Sequence, residues 1–524
     1  MSRPAVSEKE TVSARQRTNS SLPETSGSLS KLEAPTVLVS ELSPAAATTE
    51  AASSPENPEE PQTDSSWAAW RVLCGTILVQ GVLFAFPLTF GVFQDYFGRH
   101  AGFEHTKMSV WIGVLSTGVP FMGAPFLTIL CETYPRFKCR YYVILGWSLC
   151  VCSLVSAAFT KSLVALAWTQ GAFYGAGLLI LDVPALLILN TWFVRRRGLA
   201  YGLLFGATDL IGFGATILAE WLLAKHTLRG ALLTFATSIF VICGPAIWLL
   251  KSRLPMDAPA SNAAVNHENE KGKPLSAQDS AVDALSHQIE EQLSTSSSPV
   301  RYYRRPIFYI FTLANLLHSL AYYLPFIYLP AYTTSLGYAP TRGAFLLAAA
   351  NFAQIFGEVG FGKLSDYVNV HCLILVCSLG SSVAVLGLWG FAQSLVRLSW
   401  FALIYGTFGS GLISLWARMG TFFGQDDAQM IFSVLSFGRG LGVVLSGAIS
   451  PALLTAAASR TRAQGAYVTY GNGQYLGIVV FVGTTMAVSA LIGAVGLIWG
   501  WRRGELGSPR EKKDKKEESQ SAVL

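Results

Sequence analysis

The chain has 524 residues, of which 51% are hydrophobic and only 13% charged, and its mean hydropathy is +0.42. A soluble globular chain carries about 25% charged residues, so the composition excludes an ordinary soluble protein. The formal net charge of +6 is accounted for by basic loops at a membrane surface and calls for no nucleic-acid partner.

The apolar residues fall into blocks of about 20, the length that crosses roughly 30 Å of hydrocarbon as a helix. Barrel strands would instead be short and alternating. The fold class is therefore all-α, a polytopic membrane protein. Residues 1–66 are rich in Ser, Thr, Pro, Ala and Glu and poor in aromatics, the composition of a disordered segment. They read as a cytoplasmic tail with no secretory leader ahead of the first span. The sequon Asn19-Ser20-Ser21 lies in this tail and is expected to stay unglycosylated.

Six apolar blocks follow, at about 68–92, 108–131, 141–160, 163–188, 199–222 and 230–250. Residues 251–305 interrupt the pattern with polar sequence, a serine run from Ser294 to Ser298 and an acidic cluster between Glu268 and Glu291. Six more blocks read 306–334, 341–362, 370–392, 398–422, 428–455 and 475–500. The expected plan is a disordered cytoplasmic tail (1–66), a six-helix half (67–250), a cytoplasmic linker (251–305), a second six-helix half (306–503) and a charged cytoplasmic tail (504–524). Two six-helix halves around a long linker is the plan of the major facilitator fold, in which the halves rock about a site near the bilayer midplane.

The stretch Asn190–Gly214 carries the clearest orientation signal. An apolar helix ends at Trp192-Phe193, then come Arg195, Arg196 and Arg197, and a second apolar helix starts at once. Three adjacent guanidinium groups stay out of hydrocarbon, and the positive-inside rule puts them, and both termini, in the cytoplasm. Gly202 and Gly206 have the small-xxx-small spacing of close helix contacts. The plasma membrane is the expected location, with vacuolar or vesicular membranes as alternatives. Cys150 and Cys152 lie two apart on one helix and face different ways, so no disulfide or metal role is expected. No P-loop motif appears, so no nucleotide cofactor is expected and transport draws on a coupled gradient or on the substrate's own.

Several segments resemble the monocarboxylate-porter family of the major facilitator superfamily, its fungal branch above all. Phe90-Gly91-Val92-Phe93-Gln94-Asp95-Tyr96 is similar to that branch's FGVFQ-x-Y, and Ser109-Val110-Trp111-Ile112-Gly113 to its S-W-I-G. The hinge from Trp192-Phe193 to Ala200-Tyr201-Gly202 resembles YF-x-KRR-x-LA-x-G, and Gly360–Asp366 resembles the superfamily's loop motif G-x-L-x-D. The likeness spans roughly 68–503 and implies a twelve-helix secondary carrier that works by alternating access as a monomer. It also implies gating roles for Arg195, Arg196, Arg197 and Asp366, which would latch the outward-open state, and for Glu132 and Arg136 in the partner loop. In the family's animal members a lysine in helix 1 and an Asp/Arg pair in helix 8 serve proton-coupled lactate binding. An ungapped alignment puts Leu88, Gln354 and Glu358 at those positions, so that chemistry is not inherited.

Ionisable groups inside spans cost about 2.5–3.5 kcal/mol each on insertion scales and by default mark pathways. Asp182, Asp209, Glu358 and Arg439 lie deep in their spans, whereas Glu220 and Arg418 lie near span ends. Asn351, Gln354 and Glu358 form an i, i+3, i+7 stripe, and Asn315, His318 and Tyr322 form another. Such stripes face either a water-filled cavity or a neighbouring helix. Glu358, and after it Asp209, are expected to take up and release a proton during the cycle. The alternative for Glu358 is a structural ion pair with Arg418 or Arg439. Arg439 would otherwise bind an anionic group of the substrate.

The many aromatics (Phe84, Phe86, Tyr174, Tyr322 and Tyr323 as cavity candidates) point to a larger, partly apolar organic substrate, such as an exported fungal secondary metabolite. Uptake of a monocarboxylate or vitamin-like compound is one alternative. A nutrient-sensing transceptor that signals through its long tail is another. No nucleophile–base cluster marks an enzyme.

Overall fold

A computed structural model describes residues 66–100, 108–133, 139–193, 197–251, 302–365, 367–423, 428–464 and 470–503. The tails, nearly all of the linker, Arg136, Arg195, Arg196 and Asp366 lie outside the described residues, as do the side chains of Glu132 and Arg197.

Among the described residues, twelve helices are long and apolar enough to cross a membrane: α1 Trp67–Arg99, α2 Ser109–Cys131, α3 Arg140–Ala158, α4 Leu163–Trp192, α5 Leu199–Lys225, α6 Leu228–Leu249, α7 Pro306–Ser335, α8 Pro340–Leu364, α9 Val370–Trp389, α10 Leu395–Gly420, α11 Met430–Ala456 and α12 Leu476–Arg502. In hydrocarbon every backbone polar group must be satisfied within the segment, which selects helix for each apolar block. The starts carry the expected chemistry: Ser66 Oγ accepts from Ala69 N at 3.2 Å, Thr227 Oγ1 from Gly230 N at 3.3 Å, and Asn369 Oδ1 from His371 N at 2.9 Å. Pro306 and Pro340 open their helices, where a missing N–H costs nothing. The helix α1 runs past the expected boundary at 92 to Arg99. Its apolar run stops earlier than its hydrogen bonding, and the last turn is held by Arg99 Nε on Asp95 Oδ2 at 2.9 Å.

Among the described residues, three helices contain a π-helical stretch: Ala167–Phe173 in α4, Ile239–Cys243 in α6 and Ala384–Trp389 in α9. The end of the bundle that carries Trp67 and Arg502 is called here the terminal end. Trp192 Nε1 donates to Lys251 O at 2.8 Å, and the Trp70 and Phe193 rings meet edge-on at 6.0 Å, drawing the ends of α1, α4 and α6 together there. Exposed tryptophans ring both ends, Trp67, Trp248 and Trp501 at the terminal end and Trp168, Trp221 and Trp400 at the far end. These are the positions of interfacial aromatic belts. Basic residues stack on two belt rings, Arg140 on Trp248 at 4.1 Å and Lys225 on Trp221 at 5.3 Å.

The first six helices meet the last six along three seams. At the first, α1 meets α7, where Tyr323 Oη donates to Pro87 O at 3.1 Å. At the second, α2 meets α11, with Thr128 Oγ1 and Ser433 Oγ 3.1 Å apart. At the third, α5 meets α8, where Asn351 Nδ2 donates to Thr216 Oγ1 at 3.1 Å. Gly440 is essential to the second seam, since a Cβ there would lie 2.4 Å from Met122 N and 2.7 Å from Gly118 O. Gly206 also sits at a seam, with Val359 and Ile355 across from it, but Gly202 meets nothing within 4 Å. The expected Gly202/Gly206 contact is therefore made by Gly206 alone.

Candidate functional site

A cavity lies between the halves. Its walls come from Gln80, Phe84 and Leu88 on α1, Phe121 and Thr128 on α2, Asp182 on α4 and Asp209 on α5. Across from them stand Tyr322 on α7, Gln354 and Glu358 on α8, Trp416 on α10, and Phe432 and Arg439 on α11. The α2 and α4 residues lie in the second half of helices that run toward the terminal end. Those of α5 and α11 lie in the first half of helices that leave it. The cavity therefore extends from mid-bundle to the terminal end.

Toward the far end the helices close. Thr117 Oγ1 donates to Tyr323 Oη at 3.0 Å, and Thr334 Oγ1 donates to Asp95 Oδ1 at 2.7 Å, tying α7 to α2 and α1. Between these bonds, Gly91 lets α1 lie against the carbonyl of Phe326; a Cβ there would be 2.2 Å from that oxygen.

Asp209 and Glu358 are only 4% and 3% exposed, and their carboxyl groups lie within hydrogen-bonding reach of each other. An ionised carboxylate only accepts, so a carboxyl–carboxyl hydrogen bond needs a proton on one partner. Among the described residues, no N–H or O–H donor bonds to Asp209 Oδ2 or Glu358 Oε2. The pair spans the seam between α5 and α8 and joins the two halves.

Arg439 faces this pair from α11, yet among the described residues it forms no ion pair within 4.0 Å. Its guanidinium instead lies over the rings of Tyr322, Phe121 and Trp416, at 4.6, 5.0 and 5.7 Å. Its Nε is buried with no partner. Of the two expected readings of Glu358, an ion pair with Arg439 is thus corrected: its immediate partner is the Asp209 carboxyl. Ring faces attract the guanidinium, and three of them surround it here.

The α8 stripe holds together as a hydrogen-bonded chain. Asn351 donates to Thr216, Gln354 Nε2 donates to Asn351 Oδ1 at 3.0 Å, and the Tyr322 hydroxyl donates to Gln354 Oε1. Gln354, Glu358 and Tyr322 line the cavity, while Asn351 lines a smaller adjoining hollow beside Tyr323.

The α7 stripe divides differently. Only Tyr322 reaches the cavity. Asn315 donates to Leu435 O at 2.7 Å and accepts from Trp416 Nε1 at 2.9 Å. His318 Nε2 contacts Gly409 O at 2.9 Å and Nδ1 contacts Ser378 Oγ at 3.3 Å. Neither Asn315 nor His318 lines the cavity in this structure, and both join helices. Asp182 does line the cavity, with Oδ1 buried and unpartnered.

Of the expected cavity aromatics, Phe84 and Tyr322 line the main chamber and Tyr323 the adjoining one. Phe86 and Tyr174 instead pack on each other at 5.2 Å inside the first half, with Tyr174 Oη on Leu83 O at 2.6 Å. Sequence reasoning missed Gln80, whose Oε1 is buried and unpartnered, although a lone amide in an apolar span was signal enough. It also missed Phe121, Trp416 and Phe432, for which an all-apolar internal helix gives no facing direction. The far-end closure through Asp95 and Thr334 was missed as well, because gating was sought only in the basic loops.

Comparison with known proteins agrees with this architecture. The profile of the Major Facilitator Superfamily matches residues 170–447, more than half of the chain. The chain is 29% identical over 423 residues to monocarboxylate transporter 13 of Bos taurus, covering 78% of this chain and 89% of that one. It is 25% identical over 363 residues to the MFS transporter asaE of Aspergillus flavus, covering 69% and 74%. To MFS-type transporter 1 of an Ophiocordyceps species it is 24% identical over 448 residues, covering 85% and 89%. Among solved structures, the nucleoside transporter NupG superposes with a TM-score of 0.58 at 10% identity, over 82% of this chain and 99% of that one. A bacterial homologue of the lysosomal transporter Spinster, in an inward-facing and unoccupied conformation, gives 0.52 at 15% identity, over 82% and 96%.

Proposed function

Because this chain belongs to the major facilitator superfamily, we propose that it carries a partly apolar organic molecule through the cavity between its halves, by alternating access, with the Asp209–Glu358 pair as its proton relay. It is a multi-pass transporter of that superfamily and not an enzyme. The finer reading is the export of a fungal secondary metabolite across the plasma membrane, with both termini cytoplasmic and the monomer as the working unit.

The observation that carries the proposal is the carboxyl pair. It sits in the wall of the cavity and bonds α5 of one half to α8 of the other. A proton held there is linked to the contact that must change when the halves rock. The aromatic wall of Phe84, Phe121, Trp416 and Phe432 suits a larger apolar body than lactate offers. Leu88 and Gln354 stand in that wall where the animal carriers have charged groups. With termini inside, the cavity opens to the cytoplasm, the side from which an exporter loads.

A second reading, proton-coupled uptake of a monocarboxylate, is favoured by Arg439 in the wall and by the likeness to monocarboxylate transporter 13.

The test is flux in proteoliposomes under an imposed pH gradient, with the parent chain and Glu358→Gln. The amide can still donate to Asp209 but cannot release a proton. Loss of pH dependence with retained exchange is expected. Full pH dependence in the variant would remove Glu358 from the relay, and rapid lactate flux with exclusion of bulky aromatics would favour the second reading.

A further inference from the structure

Among the described residues, the unmatched polar atoms of the cavity are mostly acceptors. Gln80 Oε1 and Asp182 Oδ1 are buried in the first half and receive no hydrogen bond, and Gln80 as a whole is 4% exposed. Asp209 and Glu358 satisfy each other only through a proton. Against these stands one unmatched donor, Arg439 Nε, on a guanidinium already covered by three rings. Buried polar groups find partners, and in a binding cavity the ligand supplies those the protein does not.

From this imbalance we infer that the ligand is a partly apolar organic cation, an amine carrying N–H donors, and not a carboxylate. The inference rests on the carrier reading above. An ammonium offers three donors and no acceptor, which complements Gln80 Oε1 and the Asp182 carboxylate. A carboxylate ligand would bring only acceptors into a wall that already holds Asp182, Asp209 and Glu358. Like charge against like charge disfavours that partner. Phe84 and Phe432 receive the apolar body and offer ring faces to the cation.

Charge balance ties the cation to the proton. The titratable and charged groups that share the cavity wall with the pair are Asp182 from α4, Tyr322 from α7 and Arg439 from α11, while α1, α2 and α10 contribute the neutral Gln80, Thr128 and Trp416. With one proton on the pair, the ionised carboxylates outnumber Arg439 by one charge. When that proton leaves, the excess grows by one, and an incoming ammonium offsets it. Proton and amine are then alternate occupants, and the carrier exchanges one for the other.

The test uses the full chain in lipid nanodiscs and three probes with one apolar body: naphthylmethylamine, naphthylmethanol and naphthylacetate. Binding is measured by calorimetry at pH 6 and pH 8. The amine is expected to bind at least tenfold tighter than the acid, and tighter at pH 8 than at pH 6 with proton release. Asp182→Asn should weaken the amine at least fivefold and leave the alcohol unchanged. Equal or tighter binding of the acid, an amine affinity that neither Asp182→Asn nor Gln80→Leu moves, or no binding of any probe would each overturn the inference. Flux of the same probes separates the two levels of the argument. Acid flux that responds to Glu358→Gln removes the cation assignment and keeps the carrier. An amine that binds as expected but is never moved keeps the cation site and removes the carrier.

Discussion

Replacing Gly91 by alanine should unseat the far-end closure. The new methyl carbon would sit 2.2 Å from the Phe326 carbonyl oxygen, with Leu347 Cδ2 at 3.0 Å and Pro330 Cγ at 3.3 Å. A carbon–oxygen contact settles at about 3.3 Å or more, and a backbone carbonyl in a helix has no rotamer by which to retreat. The helices α1 and α7 must therefore part by about 1 Å. That displacement would stretch the Thr334–Asp95 bond from its present 2.7 Å to about 3.7 Å, outside hydrogen-bond range. Overpacking of this kind costs about 1–3 kcal/mol, equivalent to a shift of roughly 5- to 150-fold between closed and open far ends.

The assay is the rate at which a charged thiol reagent modifies a cysteine placed at Gln94, which lines the far hollow, in a chain whose exposed Cys74 and Cys152 are serine. Gly91→Ala should raise that rate at least fivefold and lower the melting temperature by a few degrees. An unchanged rate and an unchanged melting temperature together would refute the claim that α1 and α7 bear on one another at this point.

Thr334→Val removes the same inter-helix bond without adding bulk. It should loosen the far end by about 0.6–1.7 kcal/mol, read as a smaller rise in the Gln94→Cys modification rate. Asn315→Leu strands Trp416 Nε1 and Leu435 O and should cost about 1–3 kcal/mol, measured as a lower melting temperature. It should also weaken binding of any cavity ligand that touches the Trp416 ring. Tyr174→Phe loses the 2.6 Å bond to Leu83 O inside the first half. A stability loss of about 0.5–1.5 kcal/mol with unaltered ligand affinity is expected, and a changed affinity would show that Tyr174 reaches the ligand after all.

The twelve helices were legible because hydrocarbon imposes a length and leaves the backbone no other way to satisfy itself. Boundaries strayed where polarity and helicity part company, as at Gln94–Arg99, where an i,i+4 pair extends α1 beyond its apolar run. The site was legible in its charges: Asp182, Asp209, Glu358 and Arg439 all reach the cavity, since each would be costly anywhere else in a span. Neutral polar residues were not. Asn315 and Gln354 look alike in sequence, yet one joins helices and the other faces the chamber. Only the rotation of α7 against α10 and α11 separates them. Nor does any one-dimensional pattern reveal that Asp209 and Glu358, 149 positions apart, would meet in preference to Arg439.

The π-helical stretch in α9 bears on how this chain can change over evolutionary time. A π turn stores one residue more than an α turn. Deleting a single residue between Ala384 and Trp389 would let the stretch relax to ordinary helix with no loop to absorb the loss. The wide turn gives up its extra residue while the side chains on either side keep their direction, so the aromatic at the end of α9 stays against the Phe401 ring, on which Trp389 stacks at 5.2 Å, and the Tyr332 ring at 5.8 Å. The stretch is thus a reading-frame mark within the helix. Relatives with one residue fewer here should keep an equivalent side chain at the Trp389 position, and an ungapped alignment across α9 would pair residues that face different neighbours.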